Sequence, residues 1–498
     1  MDASIPDLQR GMAERKLSAV TLTKAYLRRI EQIDRKGPKI NSVIELNPDA
    51  IEIARERDAE RKRGEVRGPL HGIPVLLKDN IDTGDKMLTT AGSLALMDSR
   101  PERDAFFVGK LRALGAVILG KTNLSEWANF RSSRSTSGWS ARGGLTRNPY
   151  VLDRNTSGSS SGSAAAVAAN FCAVAVGTET DGSILSPASY CGIVGLKPTV
   201  GLVSRTGVIP ISKTQDTAGP MTRSVEDAAI LLGAMAAVDP RDEATVASRE
   251  WLNTDYTIFL KTDGLRGARV GVPRQYFRNR NEHANRVMEA ALKAMKDGGA
   301  TLVDPIEMPS FGKIGDAEYQ VMLYEFKDGI ERYLATRGDK CSVKNLADLI
   351  AFNERNSEKE LSVFGQETFS RAQDKGPLTE QAYLDALAKC RKLSREEGID
   401  AVMNEHKLDA IVVPSGGPAH RTDLVWGDRG TGGISSPAAI SGYPSITVPA
   451  GMISGLPLGI SFFGRAWSEP TLLKIAYAFE QQTKARRSPT FLATTDEA

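Results

Sequence analysis

Several uninterrupted apolar runs punctuate the chain: Ile73 to Leu77, Val117 to Leu119, Ala173 to Val176, Val270 to Val272 and Ala410 to Val413. Successive strand residues face opposite sides of a sheet, so a run without polar alternation predicts a strand buried on both faces. Helical patterns fill the intervals. Ser224-Val225-Glu226-Asp227 predicts a helix start before Ala228 to Ala236, because a serine oxygen accepts a free N–H of the first turn and acids favour that end. His283 to Lys296 reads as a long amphipathic helix. Strands alternating with helices predict the α/β class. A length of 498 residues allows about three domains, but no linker rich in proline, glycine and serine separates foldable pieces, and no internal repeat is evident.

The run Ala173 to Val176 feeds into Gly177-Thr178-Glu179-Thr180-Asp181-Gly182-Ser183-Ile184. A buried strand ending in glycine, followed by a tight turn, presents one serine and a set of convergent backbone N–H groups, an arrangement suited to acyl transfer. A second cluster, Ser157-Gly158-Ser159-Ser160-Ser161-Gly162-Ser163, leads into Ala164 to Asn170, which reads as the first turns of a buried helix. Lys78 stands at the end of the third element, Leu70 to Asn80. A serine needs a base to remove its proton, and a lysine serves only when neutral; burial among Ile73, Val75, Leu76 and Leu77 favours that form.

Together these segments resemble the amidase signature family, whose members hydrolyse amides with a serine nucleophile, a second serine preceded by a cis peptide bond, and a lysine. The family's glycine-serine block is similar to Ser157 through Ala165, its nucleophile turn to Thr178 through Pro187, and its lysine strand to Gly72 through Asn80. Leu119 to Glu126, Arg147 to Tyr150, Cys191 to Thr199 and Gly442 to Pro449 agree as well, so the likeness spans nearly the whole chain. The resemblance implies Ser183 as the acylated nucleophile, Ser159 as relay and Lys78 as base, with the backbone amides of Thr180, Asp181, Gly182 and Ser183 as the oxyanion hole. It also implies one amidase domain over residues 1–498, a mixed central β-sheet covered by helices on both faces, a catalytic core over about 60–235 and a helical insertion over about 275–395. No cofactor or metal is expected.

A competing reading takes Gly158-Ser159-Ser160-Ser161-Gly162 as a nucleophile elbow, with Ser160 as nucleophile and a histidine base. An elbow follows a buried strand, whereas Val151 to Thr156 is polar and irregular. Of four histidines, His283 and His406 lie in charged helical stretches, His71 reads as structural, and His420, in a loop after a late strand, is the triad candidate. Ser157, Ser161 and Ser163 read as hydrogen-bond partners at a helix start. Cys172, Cys191, Cys341 and Cys390 form no C-x-x-C pair and read as small core residues.

A formal charge of +3 and no basic tail exclude a nucleic-acid-binding profile. Arg55 to Arg63 alternates acids and bases, as a solvated helix face does. Ala164 to Val176 is too short to cross a bilayer. The expected setting is cytoplasmic, or periplasmic or secreted if a leader was trimmed, and the expected state is a monomer or homodimer with no membrane partner.

Within the family, Glu126 to Arg131, Ser137 to Gly144 and Thr178 to Ser183 most resemble bacterial peptide amidases, which release ammonia from C-terminal peptide amides. Asp181 replaces the glycine usual in the wider family. A carboxylate there repels a negatively charged substrate end and tolerates a neutral amide, or it only fixes the turn. Trp127, Ser160 and Asp181 are the candidate pocket residues, with Trp127 and Trp139 as either core or pocket wall. The alternatives are a general aliphatic or aryl amidase, the glutamine-hydrolysing component of an amidotransferase, or an inactive binding protein on an amidase fold.

Overall fold

The computed structural model describes residues 2–277, 281–310, 312–430 and 434–497. The stretch 275–395 therefore includes residues 278–280 and 311, and the loop Ser415 to Ser436 includes residues 431–433, that lie outside the described residues.

In chain order the strands are β1 (Val43–Leu46), β2 (Pro74–Lys78), β3 (Val117–Thr122), β4 (Trp139–Ser140), β5 (Gly144–Leu145), β6 (Val174–Glu179) and β7 (Val194–Lys197). They continue with β8 (Thr217–Thr222), β9 (Arg269–Gly271), β10 (Thr301–Val303), β11 (Ala410–Pro414), β12 (Ser445–Ile453) and β13 (Leu456–Phe463). Among the described residues, eleven form one sheet in the order β1-β3-β2-β6-β8-β7-β12-β13-β11-β9-β10. The sheet is mixed: β3, β2 and β6 run parallel, β6 to β11 pair antiparallel, and β11, β9 and β10 are parallel again. Every residue of β2, β3, β6, β7, β8, β11 and β13 is buried, so both faces of the sheet are covered, as the unbroken apolar runs require.

Helices form that cover. Ser224 caps the helix Val225–Met235 by accepting from the N–H of Asp227, and the amphipathic helix is Glu282–Asp297. β10 is an edge strand of the main sheet, and the helices set apart from that sheet start with Gly315–Ala335. That group docks through Phe326, Leu334 and Phe369 onto Trp127, Phe130, Ile209 and Ile211. The charged helix Ala50–Lys62 is also not wholly solvated. Its Arg57 and Glu60 are buried and paired at 3.1 Å. No helix among the described residues is long and apolar enough to cross a membrane.

Candidate active site

Parallel pairing of β2 with β6 brings two of the three sequence segments together. Leu77 pairs with Val176, which sets Lys78 beside Gly177 and Thr178. Lys78 is fully buried, and its Nζ contacts Ser159 Oγ at 2.7 Å, Thr178 Oγ1 at 2.8 Å and the Thr178 carbonyl at 3.2 Å. Burial drives its pKa down to about 7, against the opposing pull of Glu179 and Asp216. A neutral amine has two N–H donors and one lone pair. In that form two N–H groups on Thr178 leave the lone pair for the Ser159 hydroxyl, whereas the ammonium form donates to all three oxygens. Asp79 is not the partner of Lys78; it pairs with Arg142 at 3.2 Å and with the Thr90 hydroxyl.

The third segment closes over this pair. The Gly158–Ser159 peptide bond is cis, and the helix Ser161–Ala168 follows. Ser161 Oγ donates to the Ser157 carbonyl at 2.6 Å, Ser163 Oγ to the Val176 carbonyl at 3.2 Å, and Ser157 Oγ lies 2.8 Å from Ser186 Oγ. These serines tie the block to its surroundings. The strand β6 does not end at Gly177 but runs on to Glu179; a Cβ at Gly177 would stand 2.8 Å from Ser160 Oγ, so this glycine serves the close approach of the serine block. Ser160 is fully buried: its Oγ donates to the Thr178 carbonyl at 3.0 Å and accepts from the Thr178 N–H at 3.2 Å. A hydroxyl spent on the backbone in both senses, with no hydrogen bond to a histidine among the described residues, is not arranged as an elbow nucleophile.

Ser183 sits at the end of the turn and is 8% exposed. The turn reverses at Gly182, with φ of 79°. Among the described residues no protein acceptor takes the backbone N–H groups of Thr180, Asp181, Gly182 or Ser183. Behind the turn, Glu179 Oε2 accepts from the N–H groups of Ile184 at 2.7 Å and Leu185 at 3.0 Å. Burial raises the pKa of this carboxyl, with Lys197 opposing. Sequence reasoning missed both Thr178, which orients the lysine, and Glu179, which holds the turn. A carboxylate three residues beyond the apolar run Ala173 to Val176 was the available signal for Glu179.

A cleft of about 480 Å³ opens over the turn, lined by Ser157, Gly158, Asp181, Gly182, His420 and Asp428 among others. Asp181 Oδ2 accepts from Ser436 Oγ at 2.6 Å. Nearby Glu318 accepts from Gln215 Nε2 at 2.9 Å, and burial, with Asp181 adding to it, keeps its carboxyl well above the usual range. Of the three candidate pocket residues, only Asp181 lines this cleft. Trp127 is buried edge-on against Phe369, with ring centroids 5.7 Å apart, and Ser160 turns to β6. Trp139 stacks edge-on with Phe364 at 5.2 Å.

The profile of the amidase family matches residues 21–473. The chain belongs to the amidase family. It is similar to the native peptide amidase of Stenotrophomonas maltophilia, with 52% identity, a TM-score of 0.93 and 98% of each chain covered. It is equally similar to the peptide amidase PAM solved with the competitive inhibitor chymostatin, at 52% identity and a TM-score of 0.94, covering 98% of this chain and 99% of that one. A relative from Thermoanaerobacter pseudethanolicus, the A component of a glutamyl-tRNA(Gln) amidotransferase, is 34% identical over 502 residues, 98% of this chain and 97% of the relative. The protein is an amide-hydrolysing enzyme with the amidase signature fold. Within this amidase, the buried lysine, the serine after the cis bond and the serine of the turn all come from segments that resemble the family's own.

Proposed function

We propose that this amidase releases ammonia from the C-terminal amide of peptides through an acyl-enzyme on Ser183. The contact of the buried Lys78 Nζ with Ser159 Oγ carries the reading. Neutral Lys78 takes the Ser159 proton as Ser159 takes that of Ser183, and Ser183 Oγ attacks the amide carbon. The unengaged N–H groups of residues 180–183 meet the negative oxygen of the tetrahedral intermediate. The proton returns through Ser159 to the departing nitrogen, ammonia leaves, and water attacks the ester by the same route. Charge balances at each step.

The choice of peptide amides rests on the likeness to two peptide amidase structures and on Asp181. The cleft lining carries two carboxylates, Asp181 and Asp428, against one largely exposed guanidinium, Arg429, a balance that disfavours a free carboxylate end, which is the hydrolysis product, and accepts a neutral carboxamide. Ammonia release is measured from a panel of peptide amides, the matching free peptides, a simple aryl amide and glutamine. Preference for peptide amides is the expected result. Preference for glutamine would move the reading toward an amidotransferase component, and preference for the aryl amide toward a general amidase.

A further inference from the structure

Glu318 is a buried carboxyl that the proposed chemistry does not use. It stands in the first turn of the helix Gly315–Ala335 and is only 6% exposed. Its Oε1 accepts from Gln215 Nε2 at 2.9 Å, and the same nitrogen reaches the Thr180 carbonyl at 3.4 Å. Ile314, Ile434, Ile440 and Ser436 line with it a cavity of about 230 Å³. Ser436 is a wall shared with the nucleophile turn, because its Oγ donates to Asp181 Oδ2 at 2.6 Å.

Asp181 completes the arrangement. Its second oxygen, Oδ1, is buried, and among the described residues no N–H and no alcohol hydroxyl reaches it. The group in hydrogen-bond contact with Asp181 from this side is the Glu318 carboxyl. Two carboxylates offer acceptors only, so a contact between them needs one proton. A neutral carboxyl has a donor as well, and Glu318 then spends Oε1 on Gln215 and its hydroxyl on Asp181 Oδ1. The proton belongs on Glu318, the more enclosed of the two, since Asp181 opens to the cleft and already receives Ser436.

The surrounding charges do not supply another partner. Around Glu318 stand Cys390 of the helix Gln381–Arg391, Glu325 two turns along the same helix as Glu318, Tyr276 in the cavity wall, and Asp216, which takes the Thr180 hydroxyl at 2.6 Å. Among the described residues no cation pairs with Glu318. Asp181 has Lys197 and Glu179 behind the turn and Asp428 and Arg429 in the cleft lining, and Arg429 lies 3.9 Å from Asp423.

We infer that Glu318 is a positioning residue, which holds a proton, shares it with Asp181 Oδ1, and so ties the nucleophile turn to the helices set apart from the sheet. Asp181 is then held on both oxygens, and its own N–H is one of the set that meets the tetrahedral oxygen. The effect on rate rests on the Ser183 reading; the proton does not.

Wild type, Glu318→Gln and Glu318→Leu are compared on N-acetyl-leucinamide and in thermal melts. Glutamine keeps a donor for Asp181 and an acceptor for Gln215 without a titrating proton, whereas leucine keeps neither. Glu318→Leu is expected to lower kcat about tenfold with little change in KM, and Glu318→Gln to recover most of that loss. The melts supply the pH readout. A carboxyl kept neutral by burial ionises first in the unfolded chain, so its contribution to stability is fully present below the unfolded carboxyl range and is lost as pH rises above it. From about pH 5 to pH 7, below the window in which Lys78 acts, wild type should lose more stability with rising pH than Glu318→Gln. Equal slopes in these two proteins, or a kcat in Glu318→Gln as low as in Glu318→Leu, would overturn the shared proton. A steeper wild-type slope in an enzyme that forms no acyl adduct on Ser183 would overturn the catalytic reading of the turn and uphold the proton.

Discussion

The backbone N–H of Ser160 donates to the carbonyl of Ser183 at 3.2 Å, so the serine block and the nucleophile turn are joined main chain to main chain. The Ser160 side chain is committed to Thr178 at the same time. Neighbouring serines therefore have separable roles.

Ser159→Ala is expected to lower kcat/KM by roughly 10²–10⁴, the usual contribution of general acid–base catalysis. Ser160→Ala should instead cost about 1–3 kcal/mol of stability, because the buried Thr178 N–H loses the Ser160 oxygen and the Thr178 carbonyl keeps only Lys78, with a smaller loss of rate. Steady-state kinetics and thermal melts of both variants separate the two effects. Equal or reversed losses of rate would favour the elbow arrangement.

Ser183→Ala should abolish turnover, on the order of 10⁶-fold, without unfolding the protein, since it removes one small hydroxyl from a turn held by backbone and Glu179. Intact-mass analysis during turnover should show an acyl adduct on wild type and none on the variant. An active Ser183→Ala enzyme would remove the nucleophile assignment.

On the proposed mechanism, Lys78 sets the acid limb of the rate profile. Its folded pKa is lowered to about 7 from 10.5, so the neutral base disappears, and kcat/KM falls, as pH drops through about 7. In Lys78→Ala that limb should be lost and activity should recover partly at alkaline pH. The linkage has a definite sign: the unfolded chain binds the extra proton between about pH 7 and the unfolded pKa, so stability rises with pH across that window. Lys78→Met should flatten the rise in melts run over the same range. An unchanged acid limb in Lys78→Ala would make the lysine structural.

Glu179→Ala should lower kcat by about 10²-fold, because two N–H groups just after Ser183 lose their shared acceptor and the turn shifts. Glu179→Gln, which keeps an acceptor oxygen, should be milder. If the two variants lose the same activity, charge matters here and turn geometry does not.

Arg131 is fully buried between Glu126 and Glu360, and it also donates to the Glu360 and Phe364 carbonyls. Removing one partner of a buried ion pair leaves a charge uncompensated, so Arg131→Ala should destabilise by about 3–5 kcal/mol in denaturant titrations. Activity per folded molecule should persist. A stability loss below about 1 kcal/mol would show that the cluster is solvated.

Much of this was legible in the chain. Ile73 to Leu77 and Ala173 to Val176 mark β2 and β6 because full burial leaves no polar alternation, and the buried lysine follows from its place on the first of them. β10 was missed, since a three-residue edge strand with one exposed threonine carries no period. Thr178 and Glu179 were not legible as partners of the lysine and the turn. Their places depend on contacts between neighbouring strands and behind the turn, which local pattern does not encode. Trp127 reads from the sequence as either core or pocket wall, because an aromatic residue near a motif suits both; in the structure it is buried against Phe369.

The pairing of Leu77 with Val176 makes one register answerable for two parts of the proposed machinery. Lysine and turn are carried by hydrogen-bonded neighbours deep in the sheet, and a slip of one residue would send Lys78 to the opposite face. A substitution that disturbs this ladder is therefore expected to misplace base and turn together, whereas a change in the loop after β11, outside the ladder, leaves their relative placement intact.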